Sequence, residues 1–216
     1  MLRYRYIPLI SEACPMSAES IFRMAFWVLC GGGIVMHVDF AARIQRAGER
    51  FGAYRSAIER QGWGYIVVRI IRSLAVITFL VLYVINPPWF GMLLLPFPEW
   101  LRWVGILLGL GSFILYAWAQ DVLGKAWSPQ LQMRQQHLFI TSGPYACIRH
   151  PIYSAYLVFL TGIALITASW LFFGLLASSI MVVALRIPRE ELMLIEVFGA
   201  KYAEYMRRTG GLLPRF

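Results

Sequence analysis

A chain of 216 residues with 59% hydrophobic and only 14% charged side chains cannot wet the surface of a soluble domain, which carries roughly a quarter charged residues. Its mean hydropathy of +0.63 points instead to a lipid-facing surface. The formal net charge of +9 comes without any nucleic-acid-binding motif, so the basic excess is assigned to membrane topology and anionic headgroups, and nucleic acid is set aside as a partner.

In chain order, Arg3 and Arg5 precede the short apolar stretch Tyr6 to Ile10, which Pro8 interrupts. That stretch is too short for a signal-peptide core. The first uncharged run, Met24 to Val38, contains Gly31-Gly32-Gly33, with an extension through Asp39 to Ala42 left open. A surface helix is expected over Arg43 to Arg60, where arginines alternate with Phe51, Tyr54 and Ile58. The second span begins at Ser73 and must stop before Pro87-Pro88, and the third runs from Trp103 to Gln120.

The longest uncharged run, Pro151 to Leu185, would make a helix on the order of 50 Å long against a core of about 30 Å. It is therefore expected to fold as two spans with a turn near Thr167-Ala168-Ser169. A last amphipathic helix is expected over Arg189 to Arg208, ending at Gly210-Gly211. The predicted fold is all-α: a polytopic bundle of about five transmembrane helices plus interfacial amphipathic helices. Residues 1–125 would form the N-terminal spans and 126–216 a second half holding a polar loop, a helical hairpin and the amphipathic helix. Sixteen of the twenty lysines and arginines lie in Arg43 to Arg72, Asp121 to His150 and Arg186 to Phe216. Five spans put all three segments on one side, which places the C-terminus in the cytoplasm.

The three cysteines have no metal-like or redox spacing, and Cys30 and Cys147 read as packing residues. There is no HExxH, no GxSxG and no phosphate-binding glycine loop, so no metal site is predicted. His37, alone in an apolar run, reads as a packed histidine. His137 and His150 instead fall in the polar stretch between the third and fourth spans. Pro151 should hold His150 extended at the entry of the next helix, with Tyr153 in its first turn. Arg149 and Tyr153 also suit interfacial anchoring, and Glu190 and Glu191 suit a helix dipole after Pro188. A membrane scaffold or channel remains the non-enzymatic alternative, although few ionisable residues sit in mid-span.

Taken together, Gly143-Pro144-Tyr145, Arg149-His150-Pro151, Tyr153, Arg186, Glu190-Glu191, Phe198-Gly199, Tyr202, Tyr205 and Leu213-Pro214 resemble, in order and spacing, the isoprenylcysteine carboxyl methyltransferase family and its phospholipid methyltransferase relatives. The resemblance runs from Gln130 to Pro214. It implies methyl transfer from S-adenosylmethionine to a lipophilic or small hydrophobic acceptor at the cytoplasmic face of a plasma or inner membrane. It also implies cofactor contacts from Gln130, His137, Leu138, Phe139, Ile140, Tyr145, His150, Pro151, Ile152, Tyr153 and Glu190. Arg186 would face the acceptor, and Arg186, Glu190 and His150 would be the catalytic group. Carboxylate, phospholipid amine and thiol acceptors all stay open, as does oligomeric state. Pro188 replaces a position that is often acidic, which predicts a kink separating Arg186 from Glu190.

Overall fold

The structure, a computed structural model, describes residues 17–46, 54–85, 88–124 and 140–215. Within them lie six α-helices: α1 (Ala18–Arg46), α2 (Tyr54–Ile85), α3 (Glu99–Gly124), α4 (Pro151–Thr167), α5 (Trp170–Phe198) and α6 (Ala200–Arg208). Short 3-10 turns cover Pro88–Leu93 and Gly143–Ala146. No strand forms among the described residues; two isolated bridges, Leu94 with Ser169 and Ile148 with Gly210, are the extent of β pairing there. Three helical stretches are long and apolar enough to cross a bilayer, Ala18–Asp39, Glu99–Leu123 and Trp170–Phe198, while Ile70–Ile85 and Pro151–Thr167 are shorter apolar helices.

The helices are inverted relative to those of soluble proteins. On α3, Trp100, Trp103, Leu107, Leu110, Ile114 and Trp118 form an exposed apolar stripe at three- and four-residue spacing. The opposite face carries small residues, Gly105, Gly109, Ser112 and Ala119, all buried. Lipid is as apolar as leucine, so burial of large side chains does not drive helices together there; close backbone packing does. The α3–α4 contact shows this directly. A Cβ added to Gly162 would stand 2.6 Å from the Gly105 carbonyl oxygen and 2.8 Å from the Gly109 nitrogen.

The core gathers near the connection between α4 and α5, where Phe22, Phe26 and Leu29 of α1 meet Tyr83 of α2, Ile163 and Ile166 of α4 and Phe172 of α5. Phe26, Tyr83 and Phe172 form an aromatic knot, with centroids 4.4 to 5.9 Å apart. Arg102 closes this end. Its Nε donates to the Ile166 carbonyl at 2.8 Å, one of the unpaired carbonyls at the end of α4, and its Nη1 pairs with Glu19 at 2.6 Å.

The long apolar run folds as a hairpin. Thr167 ends α4, Ala168 takes a left-handed conformation (φ 46°, ψ 42°), and the fully buried Ser169 caps α5. The Leu95 N–H donates to the Ala168 carbonyl at 2.6 Å, so the segment before α3 stoppers the turn. Pro151 stands sixteen residues before Thr167, and Arg186 sixteen residues after Trp170. Both therefore lie about 24 Å from the turn, at one level near the far edge of a ~30 Å core.

Several expectations need correction. The region Arg43 to Arg60 is no separate surface helix: α1 continues to Arg46, and α2 begins at Tyr54 and runs on into its apolar part. The expected helix over Arg189 to Arg208 is divided. The long α5 reaches Phe198, and Gly199 (φ 57°, ψ −133°) breaks the chain before α6 in a conformation that side chains disfavour. Pro188 lies inside α5 without ending it. His37 is exposed rather than packed, and Cys147 is exposed as well.

Replacing Gly162 by leucine should force α3 and α4 apart, at or above the roughly 1–3 kcal/mol typical of overpacking. Thermal unfolding in detergent is expected to show a lowered midpoint. Gly174→Leu, at a site with nothing within 4 Å of an added Cβ, should leave the midpoint unchanged.

Candidate functional site

The open end of the hairpin, opposite its turn, collects the polar groups that the apolar chain otherwise lacks. His150 precedes α4 outside the helix (φ −122°, ψ 59°), short of the extended conformation expected, and Pro151 occupies the first helical position. One turn later Tyr153 points toward α5, and the His150 and Tyr153 rings stack with centroids 5.7 Å apart and planes 23° apart. The Tyr153 hydroxyl donates to Glu190 Oε1 at 2.7 Å, and Arg186 Nε donates to the same oxygen at 2.6 Å. The Arg186 guanidinium also lies over the Tyr153 ring, 5.7 Å from its centroid. His150, Tyr153, Arg186 and Glu190 thus form one connected group.

The expected separation of Arg186 from Glu190 does not occur. They make an i, i+4 ion pair along α5. Pro188 costs the helix one backbone donor, but a helix bounded by lipid on one side and protein on the other absorbs that loss without breaking.

Behind this group lies a second network that the sequence reading passed over. Glu191 points elsewhere than Glu190, since neighbouring residues on a helix are turned about 100° apart. Its Oε1 accepts from Arg149 Nε at 2.8 Å and lies 3.2 Å from His150 Nε2. Arg149 Nη1 donates to the Met206 carbonyl at 3.1 Å and also to the Thr209 carbonyl. The C-terminal segment then pairs with the entry to α4. The Arg149 N–H donates to Gly210 O at 2.8 Å, the His150 N–H to Gly211 O at 3.1 Å, and the Gly210 N–H to Cys147 O at 3.2 Å. Ser154 Oγ donates to Leu212 O at 2.6 Å. The adjacent Glu190-Glu191 pair was the available signal, since a second acid beside a buried Arg-His pair has a partner ready.

Tyr205 joins the same scaffold, its hydroxyl donating to the Tyr145 carbonyl at 2.6 Å. Burial pushes its phenol up to about 12, opposed in part by the charge on Arg149 and the Thr209 hydrogen bond. Burial likewise raises Tyr145 and Tyr202.

Of the remaining expected site residues, Pro151 is buried and Ile152 half-buried at the start of α4. Tyr145 sits in the Gly143–Ala146 turn, and Ile140 is half-buried at the start of its described segment. Gln130, His137, Leu138 and Phe139 lie outside the described residues. Among the described residues, no group of His, Cys, Asp and Glu side chains is arranged to hold a metal ion.

The donor set is unusual for its poverty. It offers a carboxylate, an arginine, a stacked imidazole–phenol pair and no nucleophile–base dyad. Such a set binds and orients. Glu190 can accept from an ammonium group, the aromatic faces can meet a cation, and Arg186 can grip an oxyanion.

Removing Arg149 should be costly, because its side chain and that of Glu191 are each only 13% exposed and the carboxylate would lose its principal partner. We expect Arg149→Met to destabilise by on the order of 3 kcal/mol, and Arg186→Met, at a side chain 44% exposed, by much less; detergent melting curves compare them. The tyrosine shifts also set a pH window. A folded-state value raised above the ordinary value near 10 favours the neutral phenol, so this stabilisation is full below about pH 10 and is lost as pH rises toward 12. Tyr205→Phe should make the decline of melting temperature with pH shallower in that window.

Comparison with known proteins agrees with this geometry. The family profile described as phospholipid methyltransferase matches residues 100–201. Protein-S-isoprenylcysteine O-methyltransferase B of Arabidopsis thaliana is 29% identical over 128 residues, covering 53% of this chain and 60% of the plant protein. Methanethiol S-methyltransferase of Pseudomonas sp. is 27% identical over 135 residues, covering 61% of this chain and 49% of the bacterial one. The chain thus matches about half to three fifths of the length of these relatives. In fold, the solved structure of the eukaryotic intramembrane Ras methyltransferase, isoprenylcysteine carboxyl methyltransferase, aligns with a TM-score of 0.65 at 20% identity, over 93% of this chain and 69% of that one. Over residues 100–201 the chain is thus similar to phospholipid methyltransferases and isoprenylcysteine carboxyl methyltransferases in sequence, and it shares the fold of the latter's solved structure.

Proposed function

We propose that this chain transfers a methyl group from S-adenosylmethionine to the carboxylate of a lipophilic acceptor, such as a prenylated cysteine, at the cytoplasmic face of the membrane. The observation that carries the reading is the meeting of Tyr153, Arg186 and Glu190 beside His150 at the open end of the hairpin. Five crossings would put this end on the arginine-rich side, with the C-terminus in the cytoplasm. In this arrangement residues 126–216 carry the chemistry, and residues 1–125 supply spans that border the acceptor.

When bound, the cofactor supplies an electrophilic methyl on a sulfonium. The donor set fits its cationic parts. Glu190, held by Tyr153 and Arg186, offers carboxylate oxygen to an ammonium group, and the stacked His150 and Tyr153 rings offer π faces to positive charge. Gln130, His137, Leu138, Phe139, Ile140, Tyr145, Pro151 and Ile152 complete the proposed cofactor contacts.

The chain's own residues then orient and exclude water. A carboxylate acceptor is ionised near neutral pH, so no general base is required. Arg186, on the lipid side of Glu190, would hold the acceptor oxygens in line with the transferred group. The glutamate–arginine pair is fixed by Tyr153 from one side, and His150 by Glu191 and the C-terminal segment from the other. Little reorganisation is left for the reaction itself. A thiol acceptor is the second reading, favoured by the likeness to the Pseudomonas methanethiol enzyme.

Purified full-length protein should bind S-adenosylmethionine by calorimetry, and Glu190→Gln should weaken binding about tenfold or more, which is about 1.4 kcal/mol. No binding by the wild type would end the reading. Membranes given methyl-labelled cofactor and a prenylcysteine acceptor should form a base-labile methyl ester, at a rate nearly flat between about pH 6 and 8. Methylation of an added alkanethiol instead, at a rate that climbs with thiol ionisation toward about pH 8.5, would identify the sulfur acceptor.

A further inference from the structure

One half-buried charge lies outside both networks described above. Arg72 sits on α2, thirteen residues before its end at Ile85, or about 20 Å of helix from that end. Its Nη2 donates to the Tyr156 hydroxyl and, at 3.0 Å, to Ser179 Oγ. Those hydroxyls lie 3.3 Å apart, and Ser179 is fully buried. Arg72 therefore bridges three helices, α2, α4 and α5, within their apolar parts.

Arg72 differs from the other arginines that reach into the bundle. Arg102 pairs with Glu19 at 2.6 Å, Arg149 with Glu191 at 2.8 Å and Arg186 with Glu190 at 2.6 Å. Arg72 has no carboxylate partner among the described residues. Hydroxyl groups can accept its hydrogen bonds but cannot neutralise its charge. An arginine always carries that charge, and a charge held among apolar helix segments is costly to place there.

Its position is also particular. Tyr156 follows Tyr153 by three residues on the same face of α4, and Tyr153 binds Glu190. Arg72 thus works about one helical turn, ~5 Å, from the candidate methyl-transfer point on its lipid side. The C-terminal half of α2 is packed into the core through Val76, Phe79, Leu80 and Tyr83. Before it Ile70, Ile71 and Leu74 are each more than half exposed. Ile77, Val81 and Val84 continue this exposed face along α2, so it is the side turned to lipid, while the Arg72 side chain reaches to α4 and α5.

We propose that Arg72 is an acceptor-binding residue: it receives, from the bilayer side, an oxyanion of the lipophilic acceptor, opposite Arg186. The inference rests on the methyltransferase reading above and deepens it, because it requires the acceptor to be anionic at the reacting end. The guanidinium fork supplies paired donors that a carboxylate or phosphodiester accepts in bidentate fashion, while Tyr156 and Ser179 hold the fork in place. For a carboxylate acceptor the consequence is directional. Methylation forms an oxygen–methyl bond as the sulfonium–methyl bond breaks, with its electron pair left on sulfur; the products are a neutral thioether and a neutral ester, which Arg72 no longer attracts. The ionic hold on the acceptor ends with the reaction that uses it.

The test is equilibrium binding to full-length protein in neutral maltoside micelles, which contain no phosphate. The probes are a radiolabelled S-prenyl N-acylcysteine, its methyl ester and a lysophosphatidylethanolamine. Wild type should bind the carboxylate at least about tenfold more tightly than the ester, and Arg72→Gln should erase most of that difference while S-adenosylmethionine affinity stays unchanged. An Arg72-dependent preference confined to the lysophospholipid would identify the oxyanion as a phosphodiester. Should Arg72→Gln not yield a monodisperse protein, Arg72→Lys serves: it keeps the charge but loses the fork, and should weaken carboxylate binding severalfold with ester binding untouched. Anionic affinity that is the same with and without the Arg72 guanidinium overturns the proposal. Loss of cofactor binding by wild type would instead overturn the methyltransferase reading, so the two failures are distinct.

Discussion

The α4–α5 hairpin is the constraint on which the rest depends. Its arms have equal apolar length on either side of the Ala168 turn, so the first polar residue before one helix and the first charge on the other must emerge at the same depth. A bilayer enforces this more strictly than water would, because a charge placed short of the boundary has nothing but protein to satisfy it. His150 and Arg186, separated by thirty-five apolar or neutral residues, therefore meet without a loop designed to bring them together.

Charge pairing then divides the labour. Glu190 and Glu191 are neighbours in sequence and serve separate networks, one opening toward the lipid with Tyr153 and Arg186, the other closed around Arg149, His150 and the carbonyls of Met206 and Thr209. The closed network is also where the chain returns. The Gly210–Leu212 strip pairs with Cys147–Ser154, so the last described residues clamp the entry of α4. Small residues matter at the other pole for a related reason. Gly105, Gly109 and Gly162 let α3 and α4 touch backbone to backbone, which fixes the hairpin against the rest of the bundle where large apolar side chains would only face lipid.

The likeness to known relatives, residues 100–201 in the family profile, covers α3 to the start of α6. It thus includes Arg149, His150, Tyr153, Arg186, Glu190 and Glu191, but neither the Met206 to Leu212 carbonyls that close the second network nor α1 and α2. The polar cluster and the apolar surfaces of α1 and α2 belong to different parts of the chain. The relatives are named for acceptors as different as prenylcysteine and methanethiol. The proposed role of Arg72 would let α2 alter what enters without altering what is done to it.

The membrane class, the apolar segments and the hairpin turn at Thr167-Ala168-Ser169 could be read from residue order, because hydrophobic length and the absence of charge are local properties. So could the candidate His150, Tyr153, Arg186 and Glu190, whose spacing forms a pattern. The effect of Pro188 was misread, since a proline's power to break a helix is weighed against tertiary support that no local rule contains. Likewise Gly199 divided a helix that its amphipathic periodicity had joined. The Glu190-Glu191 pair hinted at a partner for Arg149, but the backbone carbonyls that Arg149 also binds and the hydroxyls that hold Arg72 had no signal in the sequence. A buried charge is satisfied by whatever groups the fold brings within about 3 Å, and the sequence determines which charges exist while only the packed bundle decides which of them are answered.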